Sequence, residues 1–261
     1  MKKERERKSK KESIRYFRDY NEDFGDMSLE EKIIDKDYSY NYERRGYPIL
    51  HAILYRGIAT PLAFIYSRII KRERFFGKEK LSSVEGGFFV FANHTQPIGD
   101  ALSTNIFLFP RAADTVISSK NLSMPVIGEA LPYLGGIPTP TELSAMRSFR
   151  ATIDESIRRR HGVIIFPEGH LWEGMTSLRP FGSESFTYPA RLGAPAFALT
   201  RVYRSHRGSY RCELHLDGPF YPDMSLSVSE CRDKLCSEVR AAMEARCAES
   251  DATPCRYVKI K

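Results

Sequence analysis

His94 and Asp100 stand six positions apart in "ANHTQPIGDAL", immediately after an apolar run. An imidazole held at one nitrogen by a carboxylate is fixed in a single tautomer. Its other nitrogen can then take a proton from a hydroxyl. General-base assistance of this kind typically contributes about 10²–10⁴ in rate. The same residues also fit a plainer role, with Asp100 as the N-cap of the next helix and His94 bonded to backbone. A second polar turn, "IFPEGH", follows another apolar run and sets Glu168 and Gly169 on a loop shaped by Pro167. Together the two turns would make a basin with a base, an acid and backbone N–H donors.

For these turns to meet, the runs ahead of them must be strands of one sheet ending on the same side. Residues 86–92, 114–119, 163–169, 193–203 and 210–220 read as strands, short, apolar and rich in Val, Ile and Phe. Residues 100–109 read as a helix. Residues 142–162 carry helical spacing at Leu143, Met146, Phe149, Ile153 and Ile157, with Gly162 as a stop signal. Residues 225–247 close the chain as an amphipathic helix. This alternation predicts an α/β fold, a single central mostly parallel or mixed sheet with helices on both faces.

The 261 residues suit one α/β domain, residues 76–261, with a basic lead-in and surface helices over residues 1–75. Forty Lys and Arg against 33 Asp and Glu give a net charge of +7. That balance favours an anionic partner, and a phospholipid surface fits it. Nucleic acid is not expected, because the basic lead-in lacks a groove-reading motif. The segment "YPILHAILYRGIATPLAFIYSRIIKRER" is apolar, but Gly57 and Pro61 interrupt it and Arg56 and Arg68 bound its longest uncharged run. It predicts two short interfacial helices rather than one spanning helix. Five cysteines, odd in number and without zinc-ligand spacing, point to a reduced, cytosolic setting and to no metal site.

These motifs resemble the glycerolipid acyltransferases, the group that includes 1-acyl-glycerol-3-phosphate acyltransferase. The first motif of that family corresponds to Asn93, His94 and Asp100. Its second corresponds to Lys120, Leu122, Pro125, Gly128 and the "GGI" of 135–137. Its third is Phe166-Pro167-Glu168-Gly169 unchanged, and its fourth is the strand introduced by Pro195. The resemblance implies a lysophospholipid acyltransferase in which His94, oriented by Asp100, deprotonates a glycerolipid hydroxyl. That oxygen then attacks a fatty acyl thioester of coenzyme A or acyl carrier protein. No further cofactor is implied. Asn93, Lys120, Arg147, Glu168 and Gly169 are the implied substrate-binding residues, and the cytoplasmic face of a membrane is the implied location, peripheral or monotopic. A covalent nucleophile is not expected, since no Gly-x-Ser-x-Gly elbow is present and the cysteines lie far along the chain.

The chain departs from that pattern at three places. Five residues rather than four separate His94 from Asp100, an extra residue that Gly99 could absorb. Thr141 and the pair His170-Leu171 stand where arginines are usual, leaving Lys120, Arg147 and Arg179 as cations that could replace them. Two alternatives stay open on these grounds, a catalytically inactive lipid-binding homologue and an acyl-thioester hydrolase.

Overall fold

The computed structural model describes residues 13–24 and 29–260; most of the basic tip of the lead-in lies outside them. Nine strands are described, β1 (Ser13–Phe17), β2 (Arg74–Phe76), β3 (Phe88–Ala92), β4 (Ala113–Ile117), β5 (Gly136–Pro138), β6 (Gly162–Ile165), β7 (Ala196–His206), β8 (Ser209–Phe220) and β9 (Cys255–Lys259). Seven of them form one sheet in the order β2-β8-β7-β3-β6-β4-β5. The run from β7 to β5 is parallel, β8 is antiparallel to β7, and β2 follows β8. β3 and β6, in the middle, are buried along their whole length. That is why both read as unbroken apolar runs rather than alternating ones.

Helices cover both faces. On one lie α1 (Tyr47–Ile70) and α2 (Gly99–Leu108). On the other lie α3 (Met146–Arg158), α4 (Thr187–Leu192) and α5 (Val228–Cys247). Successive residues of β3 serve opposite cores. Phe88 and Val90 join Phe107, Leu108 and Phe197 beneath α2, while Phe89 and Phe91 join Phe149, Ile153, Leu235 and Val239. The expected mixed, mostly parallel sheet with helices on both faces is the observed architecture.

Two expectations about the first 75 residues are corrected. The described part of the lead-in is folded: β1 pairs in parallel with β9 as a separate two-stranded sheet, and Ile34 and Tyr40 are buried in the main core. β2 also straddles the boundary expected at residue 75. The two short helices are instead one continuous helix of 24 residues, α1. Gly57 and Pro61 do not break it because the turns over Ala52–Ala59 widen to π-helical geometry. Pro61 then falls in the first turn of the following α-helical stretch, where no N–H is required of it. α1 is long and apolar enough to cross a membrane by length and composition. Tyr55, Ala63 and Ser67 face the domain, whereas Ile49, Ile53, Ile58, Leu62, Phe64, Ile65, Ile69 and Ile70 stand exposed.

Candidate active site

Because β3, β6 and β4 run parallel, the segments that leave their carboxyl ends emerge at one edge of the sheet. Asn93-His94 leaves β3, Phe166-Pro167-Glu168-Gly169 leaves β6 and Lys120 follows β4. Arg147 lies just beyond β5 on that same edge, at the start of α3. Open α/β sheets bind ligands at this edge.

The central contact is direct. His94 Nδ1 lies 2.9 Å from Asp100 Oδ2. That oxygen also accepts the backbone N–H groups of Thr95 at 2.7 Å and Gln96 at 2.8 Å. A carboxylate that accepts from two fixed N–H groups takes its third donor from the ring, so Nδ1 carries the proton and Nε2 is left as an acceptor. Nε2 makes no hydrogen bond to another described residue, and the His94 side chain is 23% exposed. Its ring lies over that of Phe166, with centroids 4.4 Å apart.

The extra residue between His94 and Asp100 is absorbed without positive φ at Gly99. Gly99 opens α2 instead, and a Cβ there would meet Gln96 Oε1 at 2.5 Å. The glycine leaves room for the Gln96 side chain in the turn that precedes Asp100. Asp100 is inside the first turn of α2 and not its N-cap, a position held by Ile98.

Two residues expected to hold substrate are committed to the fold. The Asn93 amide accepts Arg201 N at 2.8 Å and donates to Arg201 O at 3.1 Å, tying the end of β3 to β7. Glu168 does not project from its turn. Its Oε2 accepts His94 N at 2.8 Å and its Oε1 accepts Arg179 N at 2.8 Å, with the Arg179 guanidinium 3.6 Å away. Burial pushes the Glu168 carboxyl up from its ordinary range, while Arg179 and the backbone donors pull it back. Glu168 thus locks the His94 turn to the Phe-Pro-Glu-Gly turn. Arg179, a possible anion ligand on sequence, is buried against Trp172, Tyr20 and His170 and is not free to bind one. Gly169 has φ +75°, and the space where its Cβ would point is open. Lys120 is half-buried and Arg147 exposed, and neither has a side-chain partner among the described residues.

The sequence reading missed Arg201 and Glu73. Arg201 Nε lies 3.3 Å from Asp100 Oδ1, and its NH1 lies 2.5 Å from Glu73 Oε1. All three side chains are buried. Against burial, which lowers it, Glu73 and Asp100 raise the Arg201 guanidinium above its ordinary value. A signal for Arg201 was present: one charge inside the apolar strand "AFALTRVY" must be paired where it is buried. Glu73 carried none, standing in a run of charges.

A second His–Asp pair shows what a close pair alone does not define. His161 Nδ1 lies 2.8 Å from Asp114 Oδ2 at the opposite edge, beside the amino ends of β6 and β4. There Tyr42 donates to the same oxygen at 2.6 Å. The five cysteines are all free and buried, and burial pushes Cys212 up to about 11 and Cys247 up to about 12. Neither is a thiolate nucleophile at neutral pH.

An oriented, partly open imidazole at the carboxyl edge of a mixed α/β sheet is an arrangement able to accept a proton from a hydroxyl. The chain belongs to the Acyltransferase family, whose model matches residues 48–222, and it is an acyltransferase. Among solved structures it is similar to the 1-acyl-sn-glycerophosphate (LPA) acyltransferase PlsC from Thermotoga maritima. The two share 19% identity at a TM-score of 0.52, over 78% of this chain and 85% of that one. No curated protein matches it.

Proposed function

We propose that the chain moves a fatty acyl group from a thioester donor, coenzyme A or acyl carrier protein, to the hydroxyl of lysophosphatidic acid or a related glycerolipid. The observation that carries this is the 2.9 Å contact between His94 and Asp100 with Nε2 unengaged on the open edge. In this reading Nε2 takes the acceptor's hydroxyl proton while that oxygen attacks the thioester carbonyl. The C–S bond then breaks, the leaving sulfur recovers the proton from the imidazolium, and the ester is released. Lys120 and Arg147 are the cations left to meet an anionic head group.

A groove of about 980 Å³ between α1, α2 and β2 is lined by Phe64, Ile65, Phe75, Phe76, Ile106 and Phe109 together with the cations Arg56, Arg68, Arg74 and Lys78. That mix suits an acyl chain with an anionic group at its end. α1 packs along the domain and exposes its apolar flank, which suits a helix seated in one leaflet, at the cytoplasmic face, rather than one that crosses.

The test is transfer of a labelled acyl group from each donor to lysophosphatidic acid and a panel of lysolipids. Ester formation with a lysolipid is expected. Fatty acid release without acceptor would favour the hydrolase alternative. Vesicle binding with no turnover from either donor would favour an inactive lipid-binding homologue.

A further inference from the structure

Both backbone groups of His94 lead to Trp172, the single tryptophan of the chain. Trp172 N donates to His94 O at 3.1 Å and Gly174 N to Thr95 O at 2.9 Å, so the segment 172–174 runs beside the His94 loop. The His94 amide is held by Glu168, and the Arg179 guanidinium that pairs with Glu168 lies over the Trp172 ring at 4.9 Å. Indole is the aromatic face that holds a cation best, and burial strengthens the contact.

The indole is itself fixed by elements from both ends of the sequence. It is fully buried, with ring centroids 4.7 Å from Phe17, 5.1 Å from Phe24 and 4.7 Å from Tyr257, and its Nε1 donates to Glu22 O at 2.8 Å. Phe17 ends β1, Glu22 and Phe24 follow it, and Tyr257 lies in β9. The same two strands grip the next residue, since Tyr257 donates to Glu173 O at 3.1 Å and Arg15 pairs with the Glu173 carboxylate at 3.4 Å. Gly174 has φ +74°, and a Cβ there would meet Pro254 Cβ at 3.0 Å and Cys255 Cβ at 3.2 Å. Only a glycine lets the segment turn this close against the start of β9. Both strands lie outside residues 48–222, the part of the chain that matches the family.

We propose that the β1–β9 sheet is a strap over the His94 loop, and that Trp172 is a positioning residue through which the strap holds both the amide and the carbonyl of His94. This rests on the reading of His94 as the base. Loosening the strap leaves Asp100 on the ring but lets the pair drift relative to the acceptor hydroxyl, and a misplacement of about 1 Å can cost about 10² in rate. Phe17, Trp172 and Tyr257 line no part of the apolar groove and are not the cations left for a head group, so substrate binding is not their task.

The experiment compares full-length Tyr257→Ala, Trp172→Ala and Trp172→Phe with the unmodified chain in labelled acyl transfer, at a temperature where circular dichroism shows each to be folded. Tyr257→Ala leaves the seven-stranded sheet untouched and keeps the one tryptophan as a reporter. Its emission is expected to shift red, and kcat to fall about tenfold with KM for donor and acceptor held within about twofold. Trp172→Ala should lose at least as much. Trp172→Phe keeps a ring against Arg179, Phe17 and Tyr257 and should recover kcat to within about threefold of the unmodified chain. Unchanged kcat in folded Tyr257→Ala, whatever its melting temperature, makes the strap structural only and overturns this inference alone. A loss in Trp172→Ala that Trp172→Phe does not recover overturns it too. An unmodified chain without transfer, or one whose transfer survives His94→Ala, overturns the base reading and this inference with it.

Discussion

Arg201 holds one oxygen of the Asp100 carboxylate at 3.3 Å while His94 takes the other at 2.9 Å. The guanidinium is itself held by Glu73, whose N–H donates to Ser67 O at 2.9 Å in the last turns of α1. The end of the apolar helix is therefore joined to the His94 imidazole through three buried side chains.

Arg201→Gln leaves the buried Glu73 and Asp100 carboxylates without the guanidinium that bridges them. Denaturant unfolding is expected to show a loss of about 3–5 kcal/mol, and kcat should fall in the folded fraction as Asp100 loses its support. Unchanged stability and activity would show that the bridge contributes nothing to holding Asp100.

Glu168 separates bracing from substrate contact. Glu168→Ala strands His94 N, Arg179 N and the Arg179 guanidinium. Denaturant unfolding is expected to show a loss of about 3–5 kcal/mol. The kcat should fall with little change in KM. A raised KM for the acceptor at unchanged stability would instead return Glu168 to the head group.

His161 supplies the internal comparison. His161→Ala removes a partner of buried Asp114 and is expected to lower stability by about 1–3 kcal/mol. Activity of the folded fraction should stay within about twofold of the unmodified chain, since the pair lies at the amino-end edge. A loss comparable to that of His94 substitution would mean the wrong pair had been placed in the mechanism.

With Cys212 and Cys247 pushed up to about 11 and about 12 by burial, a thiol reagent at neutral pH is expected to label none of the five cysteines in the native protein and all of them in denaturant. Rapid labelling of one thiol with matching loss of activity would reopen a covalent route.

The sequence made the working edge legible where local chemistry decides it. Apolar runs of strand length ended in polar turns, so β3, β6, His94 and the Phe-Pro-Glu-Gly turn could be placed before their contacts were known. What it hid depends on partners distant in the chain. β1 is only five residues long within a charged lead-in, and its pairing with β9, more than 200 residues away, makes it a strand. Glu168 lies in an exposed-looking turn, yet the N–H groups that draw it inward belong to His94 and Arg179. Pro61 carries a strong helix-breaking signal, which a widened turn one step earlier cancels.

Acyl transfer by His94→Ala, measured beside its thermal unfolding, bears most directly on the proposed chemistry. The variant should unfold near the temperature of the unmodified chain, because the His94 backbone contacts to Glu168 and Trp172 survive the substitution. Its kcat should drop by about 10²–10⁴. Full transfer activity in a folded His94→Ala protein would contradict the assignment of the base.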